Sequence, residues 1–219
     1  MSAPRRPRVF LLSPARCDGE RAKLLLNPAA TFPLAVKLRD EGVAIGDVFS
    51  FLSGLYFRGK LAYSRRFASR LRRVPPILVI TTERGLVPPE TRITRDDLVA
   101  FARVDIAGGD ERYRAPLRRD VADLTTRMSP STRVVLLGSI ATGKYADVLL
   151  GALGERVLFP SAFVGRGDMS RGGLMLRHAR SGVELDYAPV FGAVRRGSRP
   201  PKLERLPRVP RPVDGEARA

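Results

Sequence analysis

Four short apolar runs limit what this chain can fold into more than any other feature. They are Arg8–Ser13, Ile77–Thr82 (opened by Val74-Pro75-Pro76), Arg133–Gly138 and Arg156–Phe159, and none alternates apolar with polar residues. A strand reads this way when both of its faces are covered, as in a parallel sheet. Stretches of helical length separate the runs, so the order is βαβαβαβα and the class is α/β.

The connecting helices are predicted over Phe32–Glu41, Gly46–Ser53, Leu55–Arg73, Asp110–Met128, Lys144–Leu153 and Ser170–Arg180. In Leu55–Arg73 the residues Phe57, Leu61, Ala68 and Leu71 share a face, and seven basic residues occupy the same segment. Asp96-Asp97 after Thr94 read as a helix cap. Gly182–Tyr187 reads as an edge strand. Residues 1–7 form a basic arm, residues 8–193 one domain, and residues 194–219 a Pro-rich basic tail without periodicity, expected to be extended and disordered.

Charge narrows the partners. The chain carries 39 Lys and Arg against 22 Asp and Glu, a formal net charge of +17. The tail accounts for +5 and residues 1–9 for +3, so the body itself is basic. Such a surface favours polyanions, nucleic acid first. The bland alternative is an Arg-rich coding bias. No apolar run approaches the roughly 18 residues of a membrane span, and the run after the N-terminal arm is too short for a signal peptide. One Cys and one His exclude a disulfide within the chain and a multi-Cys zinc site, and fit a reducing cytoplasm. No metal or cofactor is expected, and the sequence does not set the oligomeric state.

In open α/β sheets, sites lie beyond the carboxyl ends of the strands. After the first strand, Ser13 to Arg21 gathers Arg16, Cys17, Asp18, Glu20 and Arg21. Cys17 between guanidiniums is a candidate nucleophile, although no base is fixed beside it. Asp18 is a candidate general base or water activator; the structural alternative is a helix cap shared with Glu20. After the third strand, Gly138 to Gly143-Lys144 has the glycine and lysine spacing of a phosphate loop. Tyr145 stands where the Mg²⁺-binding hydroxyl would be, which argues against an NTPase and leaves Lys144 at a helix start as a single-phosphate site. After the fourth strand, Ser161, Phe163, Arg166, Asp168, Ser170 and Arg171 crowd one glycine-rich loop. Ser170 is expected as its N-cap, and Gly172-Gly173 in a helix need a local reason, of which close approach of a ligand or another chain segment is one.

Two motifs carry a family resemblance. Ser53-Gly54-Leu55-Tyr56-Phe57-Arg58-Gly59-Lys60-Leu61-Ala62-Tyr63 and Ile80-Thr81-Thr82-Glu83-Arg84-Gly85-Leu86-Val87-Pro88-Pro89-Glu90 are similar to the YaaA-like and archaeosine-synthase-associated domains. The resemblance spans roughly residues 8–190. It implies a uracil-DNA glycosylase-like fold: one three-layer domain with a four-stranded, mainly parallel sheet and helices on both faces. By position it implies that Asp18 matches the acidic motif after the first strand. Phe159-Pro160-Ser161, Arg166 and Ser170 would match the strand-gripping motif after the fourth. Phe159 stands where a His is common, and the usual Gly-Glu/Gln-Pro-Gly run is missing.

The combined expectation is a cytoplasmic DNA- or RNA-binding protein of glycosylase-like fold, an N-glycosylase-like hydrolase in DNA repair or a reader of a modified base. Arg58, Lys60 and the neighbouring arginines would hold phosphates. Tyr56 or Phe163 would stack on an extruded base. The alternatives are a non-catalytic nucleic-acid binder and a small-molecule enzyme acting on a nucleotide or deazapurine.

Overall fold

The computed structural model describes residues 6–107 and 109–204. The arm before residue 6 and the tail after residue 204 lie outside the described residues, as does most of the expected disorder. The strands are β1 (Arg8–Leu12), β2 (Val43–Ala44), β3 (Ile77–Ile80), β4 (Leu86–Val87), β5 (Arg92–Ile93), β6 (Arg133–Leu137), β7 (Val157–Pro160) and β8 (Tyr187–Pro189). The helices are α1 (Glu20–Leu26), α2 (Pro33–Asp40), α3 (Ile45–Ser53), α4 (Leu55–Phe67), α5 (Arg95–Ala102), α6 (Glu111–Arg127), α7 (Gly143–Leu153) and α8 (Asp168–Ser181).

The main sheet has six strands, not four, in the order β4-β3-β1-β6-β7-β8. The four apolar runs form its parallel centre, with Phe10 opposite both Ile77 and Val135, and Val134 opposite Val157. Two short antiparallel strands, β4 and β8, close the edges. Two residues are too short to show a period, which is why β4 was not legible. The expected edge strand at 182–187 begins only at Tyr187.

Neighbouring residues of each central strand enter different cores. Phe10, Leu12, Val135 and Leu137 pack with Phe49, Phe57, Leu61 and Met175 beneath α3, α4 and α8. Val9, Leu11, Val134 and Leu136 pack with Tyr113, Leu117, Val121 and Leu149 beneath α6 and α7. Helices therefore cover both faces, and this double burial produces the unbroken apolar runs.

Several local expectations change. The α4 helix ends at Phe67 rather than Arg73, its last N–H bond passing from Ala68 to the Ser64 carbonyl. Thr94 and Asp97 form a reciprocal capping box at α5, as the acidic pair suggested. Ser170 lies inside α8, whose N-cap is Gly167, and Gly19 rather than a carboxylate occupies the N-cap of α1.

Candidate functional site

Strand order reverses at β1: the chain moves from β1 outward to β3, then returns to place β6 on the other side. The crevice between the carboxyl ends of β1 and β6 is thus the topological switch point, where ligands enter open α/β sheets. A cavity of about 680 Å³ lies there, a volume common for small-molecule sites. Its walls come from Ser13–Asp18 after β1, Thr82 after β3, the 101–106 segment leaving α5, Ser139 to Tyr145 after β6, Tyr56 on α4 and Asp168 on α8.

Among the described residues six charged ones line the cavity, and they balance: Arg16, Arg103 and Lys144 against Asp18, Asp105 and Asp168. Asp18 is exposed and paired with Arg16 at 2.6 Å, which holds its carboxyl below the ordinary range. Lys144 has no hydrogen-bond or ion-pair partner among the described residues and sits at the start of α7. Thr142, the N-cap, places no side-chain hydrogen bond on that end, so the first N–H groups of α7 are left without a side-chain acceptor.

Behind the wall lies an amine. Lys60 is 1% exposed, and its Nζ is 2.7 Å from Ser13 Oγ and 2.9 Å from the Ser13 carbonyl oxygen. The third side of the amine faces the Tyr56 ring, 4.0 Å from its centroid. Burial pulls the Lys60 pKa down to about 7, Asp168 opposing and Arg171 reinforcing the shift. Lys60 therefore is no phosphate-holding surface residue. At i+4 from Tyr56 and i+3 from Phe57 it belongs to the inward face of α4 that both aromatics mark.

Two further polar groups complete this region. The Tyr56 hydroxyl is buried without a hydrogen-bond partner among the described residues. Burial raises its pKa, while the nearby Arg171 guanidinium acts in the opposite direction. Burial also raises the Tyr145 phenol, and contact with the Ser13 side chain draws it the other way. Gly138 gives Ser13 its room, since a Cβ there would come within 2.8 Å of Ser13 Cβ.

The expected site residues thus divide. Arg16, Cys17, Asp18, Tyr56, Lys144 and Asp168 line the cavity, and Lys60 stands behind it. Cys17 fails as a nucleophile: its Sγ lies 3.5 Å from the Ala15 carbonyl, and burial pushes its pKa up to about 12. At neutral pH it is a thiol, not a thiolate. Arg58 is exposed on α4 away from the cavity wall. Tyr56 presents a wall but is only 5% exposed, and Phe163, at 1%, has no surface on which a base could stack.

Apart from Asp168, which reaches the cavity, the loop after β7 serves packing. Arg171 donates to the Phe163 carbonyl at 3.1 and 3.2 Å and pairs with Asp168 at 3.3 Å. Arg166 donates to the Ala162 and Pro201 carbonyls and to Ser170 Oγ. Ser161 donates to the Asp186 carbonyl, tying β7 to the segment before β8. Gly172 exists for a helix crossing: a Cβ there would stand 2.6 Å from the Leu55 carbonyl oxygen, and one on Gly59 2.6 Å from that of Gly172. Gly173 lies against Leu203, so the near end of the tail packs on α8 instead of extending freely. The segment that approaches these glycines is the chain itself.

Sequence reading missed Ser13, Thr82, Tyr145 and the 101–106 segment as cavity walls. Ser13 offered one signal, a polar residue ending a buried strand. The 101–106 segment offered none, because its place depends on how α5 packs. Among the described residues no group of three or more His, Cys, Asp or Glu side chains could hold a metal ion, and no helix is long and apolar enough to cross a membrane. Compared with known protein families, curated proteins and solved structures, the chain matches none.

Proposed function

We propose that this chain binds a nucleic acid on its basic outer surface and admits a single base, modified or damaged, into the cavity between β1 and β6. One observation carries the reading. The net charge is +17, yet the six charged residues lining the cavity cancel, so the whole excess lies outside it. Phosphates are attracted to the exterior, while the cavity offers hydrogen-bonding groups and an aromatic wall to a neutral, planar, polar group. That division of labour is the one base extrusion requires. The resemblance to glycosylase-like domains agrees with it, and the four parallel strands with helices on both faces are compatible with that fold.

Support is stronger for recognising a base than for excising it through Asp18. A carboxylate held below its usual range by Arg16 is a weak proton acceptor, although it could still orient a water. The charge balance of the cavity also favours a second reading, a free nucleoside or deazapurine as ligand.

The test is an anisotropy titration of the full chain with single-stranded and duplex DNA and RNA at two salt concentrations. A 2-aminopurine placed in the oligonucleotide reports unstacking. Saturable binding with a negative salt slope and a rise in 2-aminopurine emission is the expected result. Salt-insensitive binding of free nucleosides alone would favour the second reading, and no binding of either would overturn both.

A further inference from the structure

The Ser13–Lys60 pair has the parts of a serine nucleophile and its base. A neutral amine has two N–H groups and one lone pair. Around Lys60 one N–H is met by the Ser13 carbonyl oxygen at 2.9 Å and the other by the Tyr56 ring. The third position points at Ser13 Oγ, 2.7 Å away: the ammonium donates to it, and once that proton is lost the lone pair faces the hydroxyl. Serine activated by lysine is an established variant of the serine, histidine and aspartate arrangement. Ser13 also stands at the switch point, where it lines the cavity, and the uncapped start of α7 borders the same space.

We propose that Ser13 is a nucleophile activated by Lys60, and that the cavity removes an acyl group carried on a base or nucleoside. The choice of substrate rests on the base-binding reading above; the nucleophile does not. Ser13 Oγ attacks the substrate carbonyl carbon and passes its proton to Lys60 Nζ, and the carbonyl π pair moves to oxygen. The first N–H groups of α7, at the border of the same cavity, are assigned to that oxyanion. The intermediate collapses, the bond to the base nitrogen or sugar oxygen breaks, and the leaving atom takes the proton from the Lys60 ammonium. Water then attacks the acyl-serine ester, giving its proton to Lys60. Ser13 Oγ departs with that proton, and a carboxylic acid is released.

The amine is set for this cycle by what surrounds it. Asp168 and Arg171 face it from α8 with opposite signs, Tyr56 from its own helix, and Tyr145 from α7 through Ser13. Its low proton affinity leaves a large neutral fraction at neutral pH.

The full chain is treated with an alkyl fluorophosphonate, and adducts are counted by intact mass and located by peptide mapping. One adduct on Ser13 is expected, forming faster as pH rises through about 7 and about 100-fold slower in Lys60→Met. Absence of an adduct on Ser13 of the folded protein overturns the proposal, as does an unchanged rate in Lys60→Met. If that variant does not fold, the wild-type profile decides: a rate flat between pH 6 and 8 overturns it. Competition by an N-acylated nucleoside separates the two readings. Labelling without competition upholds the nucleophile and overturns the base as occupant, whereas nucleoside binding without labelling does the reverse.

Discussion

Two loops of this molecule look alike in sequence and differ in use. The segment after β1 and the segment after β7 both concentrate arginine, aspartate, serine and glycine at the carboxyl end of a parallel strand. The first opens into a cavity. The second is filled, its arginines bound to backbone carbonyls of their own loop and tail, and its Gly172 spent on the crossing of α4 with α8. Glycine beside arginine marks a place where something comes close. Only the neighbouring helix decides whether that something is ligand or chain.

The largest expected effect tests the filled loop. Gly172→Val forces a side chain into the Leu55 carbonyl and should cost about 3 kcal/mol, overpacking costing roughly 1–3 kcal/mol or more. Urea unfolding measures it, and a loss near that of an exposed helix position would break the contrast.

Next comes the pH dependence of the cavity side. The Lys60 pKa is depressed in the folded chain, so the unfolded chain binds the extra proton between about pH 7 and its ordinary value, 10.5. Stability therefore rises with pH from about 7, and the penalty of burying the charge is fully present below it. The raised thiol of Cys17 works the other way at higher pH, being held protonated while the unfolded chain ionises. The rise should show between pH 7 and 9 in the urea midpoint and be absent in Lys60→Met. A wild type and variant that run parallel would remove the buried amine from the account.

Smaller effects sharpen the boundary. Lys144→Ala should weaken nucleoside or oligonucleotide binding about tenfold by anisotropy, a hydrogen bond to a charged group being worth roughly 1.5–3 kcal/mol. Smallest of all, Arg166→Ala should leave that affinity within about twofold and cost at most about 1 kcal/mol of stability. Equal losses from both variants would mean that the loop after β7 also touches ligand.

How much of this was legible in the sequence depends on range. The four central strands and the Thr94 cap were readable because burial on both faces and local hydrogen bonding are written in adjacent residues. The Ser13–Lys60 contact was not. It joins residues 47 positions apart and depends on the α4 face turned inward by Phe57 and Leu61. Lys60 read as part of a basic surface because its neighbours Arg58, Arg65 and Arg66 are one. A single inward lysine among outward arginines changes no periodicity. Arg171 and Phe163 were misjudged for a related reason: a residue type suited to a ligand is equally suited to a carbonyl or a core.

The two edge strands bear on how the protein behaves in a crowded solution. Leu86–Val87 is two residues long, and Tyr187–Pro189 is three and ends in a residue with no N–H to offer. Neither gives an incoming strand much of a ladder to extend, a device by which sheet proteins avoid joining edge to edge. Like charge on every copy adds repulsion to that poor template. Self-association by strand addition is thereby discouraged on both flanks, and a partner is left to engage the helical faces or the mouth between β1 and β6.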